Sequence, residues 1–389
     1  MAPADVSGER AALARSLVAS GAMTPDWSAA LLAVPRSGFL PEVFWAHDMD
    51  SGESTRVDRR TGPEVWEGHA CADAPLVTQW DDGEGGGPGG VPTSSASMPS
   101  VVFRMLAALD VRPGDRVLEI GTGTGWNAAL LAARLGARNV TSIEIDPRVA
   151  DAARERLAAA GLLGTVLTRD GTLGDPAGAP FDRVIVTAGV RKLPPAWIEQ
   201  TREGGLIVAP WGTHYSNADA VARLEVADGA ARGKFVGPVE FMKLRAQRLP
   251  FPGHEAYVPE PDGMDSAEHT KAEVTEADLL GAGRFDTTAF VLGLRVPGCH
   301  QAVAAKRDGS RPVWFYGLTD RSWACAMLHD GHEADVWQAG PRRLWDEVSR
   351  ALGWWTDAGR PGIERFGLTV RADGEQFAWL DAPEDAWPV

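Results

Sequence analysis

The stretch that most constrains the fold is VLEIGTGTGW, which runs from Val117 to Trp126. Its apolar start predicts a buried parallel strand, and the alanine- and leucine-rich run that begins at Asn127 predicts the helix that follows. Gly121, Gly123 and Gly125 let the chain turn tightly and bring its backbone against a ligand. The helix N-terminus adds unpaired N–H groups and positive potential there. The sequence therefore predicts a βαβ unit that binds a nucleotide-like cofactor.

The spacing of the glycines distinguishes two cofactor classes. A dinucleotide fingerprint places glycine at the first, third and sixth positions of the loop, and the sixth position here is Trp126. An acidic residue, Glu119, stands two places before the first glycine. This combination predicts a methyltransferase whose cofactor is S-adenosylmethionine. It disfavours NAD as the cofactor.

Two further acidic residues follow at the ends of apolar segments. Glu144 lies in the predicted strand 140–145, about 20 residues beyond the glycines, where a carboxylate can accept hydrogen bonds from ribose hydroxyls. Asp170-Gly171 follows the apolar segment 164–167, where Asp170 can accept from an adenine amino group. Asp170-Gly171 is also a common turn sequence, so this second assignment has an ordinary structural alternative.

Length and composition limit the remaining possibilities. A chain of 389 residues predicts two domains: a methyltransferase domain with an N-terminal helical segment (1–249), a linker (250–286) and an α+β domain (287–389). A formal charge of -15 argues against a nucleic-acid partner, since phosphate binding needs concentrated Lys and Arg. Three widely spaced cysteines predict no disulfide framework. No apolar run suits a membrane span or signal peptide, so we expect a cytoplasmic protein without a membrane partner.

The pattern along the chain predicts an α/β fold with a doubly wound sheet of the class I methyltransferase (Rossmann-like) type. Residues 8–34 are expected to be helical with a break at Thr24-Pro25, and residues 101–249 alternate strands and helices. In the last hundred residues an amphipathic helix is expected over 341–355. Strands are predicted at 288–294, 313–316, 323–328, 334–338, 366–370 and 376–380.

Eight of the fifteen Trp residues lie beyond residue 310. They can form an aromatic surface that binds a peptide, or they can fill the core of a small domain. Both interpretations stay open at the level of sequence.

Three other chemistries are disfavoured. Methylation of base amino groups typically uses an Asn or Asp followed by two prolines and an aromatic residue after the fourth strand, and this chain has VIVTAG over 184–189. Cys325, His329 and His332 lack an evident fourth zinc ligand, so no metal site is predicted. Serines at 94, 95 and 97 lack a G-x-S-x-G elbow, and a polar loop explains them more simply.

Several separated segments, in order, resemble the protein-L-isoaspartate O-methyltransferase family over about residues 34 to 249. A single glycine motif is weak evidence, whereas eight ordered segments are specific. The matching segments are VPRSGFLP (34–41), SSASMP (94–99), VLEIGTGTGWNAALLA (117–132), SIEIDP (142–147), RDGTLG (169–174), APFDRVIV (179–186), LPPAWIEQTREGGLIVAPWG (193–212) and GPVEFMKLR (237–245).

The resemblance implies methyl transfer to the carboxylate of an aspartyl or isoaspartyl residue in a peptide. In that family the loop matching Ser97 lies over the methyl donor and helps to hold the substrate carboxylate, so Ser97 is the candidate catalytic residue. Implied contacts are Glu119 and the glycines with the methionine part, Glu144 with the ribose, Ile145 with one adenine face and Asp170-Gly171 with its edge. The candidate cofactor-binding residues are Glu119, Gly121, Thr122, Gly123, Gly125, Glu144, Ile145, Asp170, Gly171 and Thr187.

Two departures from the family pattern bear on the substrate. Family members usually end soon after the segment matching 237–245, whereas this chain continues to residue 389, and their Thr-Ile-Ser loop is replaced by Ser95-Ala96-Ser97. The longer architecture resembles an actinobacterial branch associated with ribosomally made, modified peptides, in which an Asp of a precursor peptide is methylated and converted to aspartimide. The sequence therefore favours a modified precursor peptide as partner. General isoaspartyl repair, and a binding module without turnover, remain alternatives.

Overall fold

The computed structural model describes residues 6–49, 51–85, 87–258 and 264–389. Its helices are α1 (Val6–Ala19), α2 (Ser28–Ala33), α3 (Pro63–Cys71), α4 (Pro99–Leu109), α5 (Trp126–Leu135), α6 (Pro147–Ala159), α7 (Pro195–Glu199), α8 (Glu276–Leu280), α9 (Thr288–Arg295) and α10 (Leu344–Asp357). The first eleven strands are β1 (Val43–His47), β2 (Ser54–Asp58), β3 (Leu76–Trp80), β4 (Pro92–Ala96), β5 (Val117–Ile120), β6 (Val140–Glu144), β7 (Thr165–Thr168), β8 (Phe181–Val186), β9 (Thr201–Trp211), β10 (Asp219–Ala227) and β11 (Ala230–Val239). The remaining strands are β12 (Glu268–Ala272), β13 (Cys299–Val303), β14 (Ser310–Gly317), β15 (Trp323–His329), β16 (His332–Ala339), β17 (Phe366–Val370), β18 (Gln376–Leu380) and β19 (Trp387–Pro388).

The chain forms two compact units. The first comprises the described residues of 1–188, 194–209 and 223–231, and the second comprises those of 189–193, 210–222 and 232–389. None of the described helices is long and apolar enough to cross a membrane.

The first unit contains the predicted parallel sheet. Its strands lie in the order β9-β8-β5-β6-β7, and each neighbouring pair is parallel. The chain runs outward from β5 through β6 to β7, and then returns to the other side of β5 with β8. This reversal is the topological switch point of a doubly wound sheet, where ligands bind beyond the carboxyl ends of the strands. The predicted fold class is therefore confirmed.

The predicted elements around the glycine loop are also confirmed. β5 and α5 flank the loop, and all four residues of β5 are buried, as expected for a strand covered on both faces. The helical prediction over 8–34 corresponds to α1 and α2, separated by a short 3-10 turn that begins at Pro25. A separate antiparallel sheet, in the order β2-β1-β3-β4, carries the serine segment.

The second unit contains an antiparallel sheet in the order β12-β16-β15-β14-β13. Its inner face packs on α9 and α10 through buried apolar side chains, among them Val313, Phe315 and Val336. On α10, Leu344 and Val348 are fully buried, as the amphipathic stripe predicted. β17, β18 and β19 belong to a different sheet, in which β17 lies beside β11.

Two predictions in the second unit need correction. The strand expected at 288–294 is the helix α9, because its apolar run is buried on every side and periodicity then cannot separate strand from helix. The segment 250–286 is not only a linker. It contains β12, which pairs with β16 as the edge of the five-stranded sheet.

The C-terminal Trp residues serve more than one purpose. Trp323, Trp345, Trp355 and Trp379 are buried, whereas the other four are only partly buried. The sequence alternatives of core filling and surface are therefore both represented in the structure.

Candidate active site

The sequence-predicted cofactor residues lie together at the carboxyl ends of the parallel strands. Glu119 belongs to β5, Glu144 ends β6, Asp170 follows β7 and Thr187 follows β8. The four glycine-loop candidates, Gly121, Thr122, Gly123 and Gly125, connect β5 with α5. All of these residues belong to the first unit, at the switch point of its sheet.

The three glycines of the loop, Gly121, Gly123 and Gly125, all have positive φ values. Gly121 has a φ of 97°, and a Cβ added there would lie 2.6 Å from the Oγ1 atom of Thr187. Gly123 has a φ of 54°, and its Cβ would lie 3.6 Å from the carbonyl oxygen of Ser95. Residues with a side chain rarely adopt such positive φ values. Glycine at these positions therefore leaves the backbone of the loop uncovered by side chains. Thr187 reinforces the loop, since its hydroxyl donates to the carbonyl oxygens of Ile120, at 3.1 Å, and Gly121.

Glu119 is a fully buried carboxyl group. Its Oε1 atom accepts a hydrogen bond from Nδ2 of Asn127 at 2.7 Å, and its Oε2 atom accepts one from the hydroxyl of Ser142. The Ser142 hydroxyl lies 2.5 Å from that of Thr122. Burial raises the pKa of Glu119 to about 7, against the lowering effect of the two hydrogen bonds, and the charge of Glu144 adds to the increase. This network ties β5, β6, α5 and the loop together.

Glu144 is partly buried, and both of its carboxylate oxygens face the backbone. Oε2 accepts from the N–H of Gly123 at 2.9 Å, and Oε1 accepts from the N–H of Asp146 at 3.1 Å. Each oxygen retains a second lone pair, so the carboxylate can also accept from ribose hydroxyls. The next residue, Ile145, is 40% exposed and offers an apolar surface for a ring.

Asp170 and Gly171 form a turn after β7. The Oδ1 atom of Asp170 accepts from the N–H of Thr172 at 2.9 Å and caps the short 3-10 turn 171–173. The side chain is only partly buried, so its remaining acceptor positions are available to a ligand. Gly171 is buried, and a Cβ there would lie 2.6 Å from the side chain of Ile120. The turn and the binding interpretation are thus compatible.

The serine segment packs directly against the glycine loop. Ser94 and Ser95 lie on β4, where a polar loop was expected, and Ser97 follows just before α4. The strand forms because β3 provides an antiparallel partner for these residues. The Ser94 hydroxyl accepts from Thr78, at 3.2 Å. The Ser97 hydroxyl is partly buried and makes no hydrogen bond within the described part of the chain.

Arg36 positions this segment, and sequence reasoning assigned it no role. Its guanidinium group donates to the carbonyl oxygens of Ala96 at 2.8 Å, Ser97 at 3.0 Å and Ala72 at 3.1 Å. The side chain is 3% exposed, and burial lowers its pKa to about 9. The segment VPRSGFLP, which carries part of the family resemblance, was the available signal. Sequence reasoning also assigned no role to Asn127 and Ser142, although both lie in segments that resemble the family.

No group of three or more His, Cys, Asp or Glu residues with metal-binding geometry occurs in the ranges that the structure describes. The three cysteines, Cys71, Cys299 and Cys325, are free thiols.

The similarity to known proteins lies in the same part of the chain. The family model for protein-L-isoaspartate(D-aspartate) O-methyltransferase matches residues 55–248. A protein-L-isoaspartate O-methyltransferase of Pyrococcus horikoshii is 38% identical over 149 residues, which is 38% of this chain and 67% of the relative. One from Methanoculleus marisnigri is 43% identical over 152 residues, covering 39% of this chain and 67% of the relative. This chain belongs to the protein-L-isoaspartate O-methyltransferase family. It is a protein carboxyl O-methyltransferase, and its methyl donor is S-adenosylmethionine.

A solved structure named protein-L-isoaspartate O-methyltransferase has a similar fold over almost the whole length. It is 19% identical, it covers 96% of this chain and 100% of its own, and the TM-score is 0.52. At this identity the similarity concerns the fold alone.

The described residues suit the methyl donor. The glycine loop presents bare backbone, and a Cβ at Gly121 would collide with Thr187. Glu144 has spare acceptor capacity for hydroxyls, and Ile145 provides an apolar surface beside it. S-adenosylmethionine carries a positive sulfonium, which suits a site that is rich in carboxylates.

Proposed function

We propose that the protein methylates an aspartyl side-chain carboxylate in a ribosomally made precursor peptide, and that the ester then closes to a succinimide. The observation that carries this proposal is the Ser97 hydroxyl. It has no partner within the described residues, and it lies in a segment whose neighbouring residue, Ser95, approaches the glycine loop. A free hydroxyl beside the cofactor loop can donate a hydrogen bond to a substrate carboxylate.

One group of residues is assigned to binding the methyl donor, and a second group to orienting the substrate carboxylate. We propose that Glu144, Ile145 and Asp170 hold the ribose and adenine of the donor, and that the glycine loop and Glu119 shape the place for its methionine part. Bound S-adenosylmethionine supplies an electrophilic methyl group. Ser97 orients the substrate carboxylate, and Arg36 keeps Ser97 in place through its carbonyl oxygen.

Such a sparse site is sufficient for this chemistry. A carboxylate is ionised near neutral pH, so no general base is needed to generate the nucleophile. Orientation and exclusion of water then carry most of the catalysis. In the methyl ester, the next backbone amide nitrogen attacks the carbonyl carbon, loses its proton and expels methanol. The ring closure needs no further group from the protein.

Residues 249–389 lie outside the match to the family model. We propose that the region 287–389 binds the precursor peptide and presents one Asp to Ser97. The Ser95-Ala96-Ser97 segment, which replaces Thr-Ile-Ser, supports a substrate other than isoaspartyl sites in damaged proteins. We also propose that the enzyme acts in the cytoplasm, where its three free cysteines stay reduced.

General isoaspartyl repair is the second candidate. It is favoured by the match over 55–248 and by the similar fold of a solved structure that carries the repair enzyme's name. A binding module without turnover, the third alternative from the sequence, does not fit a chain that belongs to a family of methyltransferases.

One experiment separates these candidates. The full chain and S-adenosylmethionine are incubated with either an isoaspartyl test peptide or the modified peptide encoded beside its gene, and intact masses are followed. Methyl gain followed by methanol loss at a normal Asp of the neighbouring peptide alone supports the proposal. Efficient methylation of the isoaspartyl peptide supports repair.

Point substitutions test the role of 287–389 better than truncation. Removal of this region would leave β12 without β16, its partner strand, and would expose Val274 and Leu279, which are buried in the same core. A loss of activity in the truncated protein would then not distinguish lost peptide binding from misfolding.

A further inference from the structure

Arg295, in the last turn of α9, lies over two aromatic rings of the second unit. Its Cζ atom is 4.5 Å from the ring centroid of Trp354 and 4.6 Å from that of Trp387. The two rings meet edge to face at 5.5 Å, and the indole N–H of Trp387 donates to the carbonyl oxygen of Leu294 at 2.8 Å. These contacts fix the position of the guanidinium group. They involve the ring faces and leave its N–H donors available.

Arg295 shares a cavity of about 300 Å³ with Glu347, Arg350 and Ala351. Among the residues that the structure describes, neither Arg295 nor Arg350 makes a hydrogen bond or an ion pair with a carboxylate. Glu347 does not neutralise them, since both of its oxygens are bound by Arg342, with Nε at 3.1 Å from Oε1. The cavity therefore carries two guanidinium groups whose N–H donors are not taken by a carboxylate, although the charge of Arg350 contributes to lowering the pKa of Asp346, one turn earlier on α10.

Many arginines of this chain form an ion pair with a carboxylate, and these two do not. The protein has 53 acidic and 38 basic residues, so most arginines can find a carboxylate nearby. Arg343, which directly precedes α10, forms ion pairs with Glu268 and Asp346. Two neighbouring guanidinium groups without such partners, beside half-buried aromatic rings, form a surface that favours a planar oxyanion attached to an apolar group.

We propose that this cavity binds a carboxylate side chain of an acidic peptide. The proposal rests on the proposed function, because it supplies a contact for the peptide that the enzyme methylates. The carboxylate accepts from Arg295 and Arg350, and the chain next to it packs on Trp354 and Trp387. A volume of about 300 Å³ is at the lower end for ligand pockets, so it fits one side chain and not a whole folded segment.

The test is a binding measurement on the full chain without methyl donor. Fluorescence anisotropy is measured with a fluorescein-labelled tetraglutamate peptide and with the matching tetraglutamine peptide. We expect the native chain to bind tetraglutamate, and Arg350→Gln to weaken this binding roughly tenfold, with a larger loss when Arg295→Gln is added. Arg350 is exposed on α10, so its substitution leaves the fold intact and keeps the test valid if the Arg295 variant unfolds.

Arg371→Gln is the matched control. Arg371 also lies over an aromatic ring, that of Phe377 at 5.0 Å, but it does not line the cavity. We expect its tetraglutamate binding to equal that of the native chain. Equal binding by native chain and Arg350→Gln, or equal binding of both peptides, would overturn the proposal. Displacement of tetraglutamate by equimolar inorganic phosphate would overturn it too, because the cavity would then be a phosphate site.

The outcome is independent of the methylation assay. If no peptide is methylated but tetraglutamate binding depends on Arg350, the cavity binds acidic side chains as proposed and the proposed function is wrong. If the neighbouring peptide is methylated but tetraglutamate binding ignores Arg350, the proposed function stands and the cavity does not bind acidic side chains.

Discussion

Substitution of Glu119 by Gln should change how the stability of the protein depends on pH. Glu119 is 0% exposed, and burial raises its pKa from 4.5 to about 7. Gln has the same shape, and its amide can keep the contacts with Asn127 and Ser142. The Glu119→Gln variant therefore removes the titration while it preserves the packing.

The sign follows from proton binding. Between about pH 4.5 and pH 7 the native state holds a proton on Glu119 that the unfolded chain has released, so native stability falls as the pH rises. The loss is complete above pH 7 and amounts to about 3 kcal/mol, since each pH unit of pKa difference corresponds to about 1.4 kcal/mol. Relative to the native chain, Glu119→Gln should thus gain about 3 kcal/mol between pH 4.5 and pH 8.

Thermal unfolding of both proteins at pH 4.5, 6, 7 and 8, without methyl donor, measures this gain. The difference in Tm between the two proteins cancels the other titrating groups, which they share. We expect it to shift by roughly 6 to 12 °C in favour of Glu119→Gln for the transition of the first unit, at about 2–4 °C per kcal/mol. Glu155→Gln, on the exposed surface of α6, is the control for the removal of one acidic side chain. A difference in Tm for Glu119→Gln that stays constant across these pH values would refute the reasoning that burial dominates at this position.

Three further predictions concern the loop and the serine segment. Ser97→Ala should lower kcat/KM for methyl transfer roughly 10- to 100-fold at unchanged Tm, because its hydroxyl has no partner within the described residues; equal kcat/KM would remove Ser97 from the site. Gly121→Ala places a Cβ 2.6 Å from Oγ1 of Thr187 and should lower the free energy of unfolding about 1–3 kcal/mol more than Gly161→Ala, where φ is also positive but nothing lies within 4 Å. Urea unfolding measures this, and equal losses would contradict it. Glu144→Gln replaces one carboxylate oxygen, which accepts a hydrogen bond from a backbone N–H, by an NH2 group that can only donate. Calorimetry should therefore show binding of S-adenosylmethionine weakened roughly 10- to 100-fold. Unchanged affinity would exclude Glu144 from the ribose site.

Sequence patterns predicted best where the conformation is local. The strand, loop and helix around Gly121 follow from short-range periodicity and from glycine's freedom at positive φ. Prediction failed at α9, where a run of buried apolar residues has the same pattern in a helix as in a strand. It also missed the pairing of β12, whose residues are mostly exposed at a sheet edge and show no alternating pattern.

The roles of side chains were predicted less completely than their positions. Glu119 was expected near the donor, but its burial and its pKa depend on Ser142, 23 residues further along the chain. Arg36 stood in a quoted segment without a role, because its acceptor, the carbonyl oxygen of Ser97, is 61 residues away. Sequence spacing carries no information about such contacts, since packing and not local preference brings the atoms together.

By itself, the sequence determined the glycine loop, the parallel strands around it and the class of cofactor, because backbone freedom at Gly121 and Gly123 and the apolar pattern of β5 can be read from short stretches of the chain. Tertiary structure alone decided which donors and acceptors meet. It placed Arg36 under the serine segment and left the Ser97 hydroxyl free. It also brought Arg295 to Trp354 and Trp387 without a carboxylate partner among the described residues. These contacts join residues far apart in the chain, and their geometry exists only once the sheets and helices have packed.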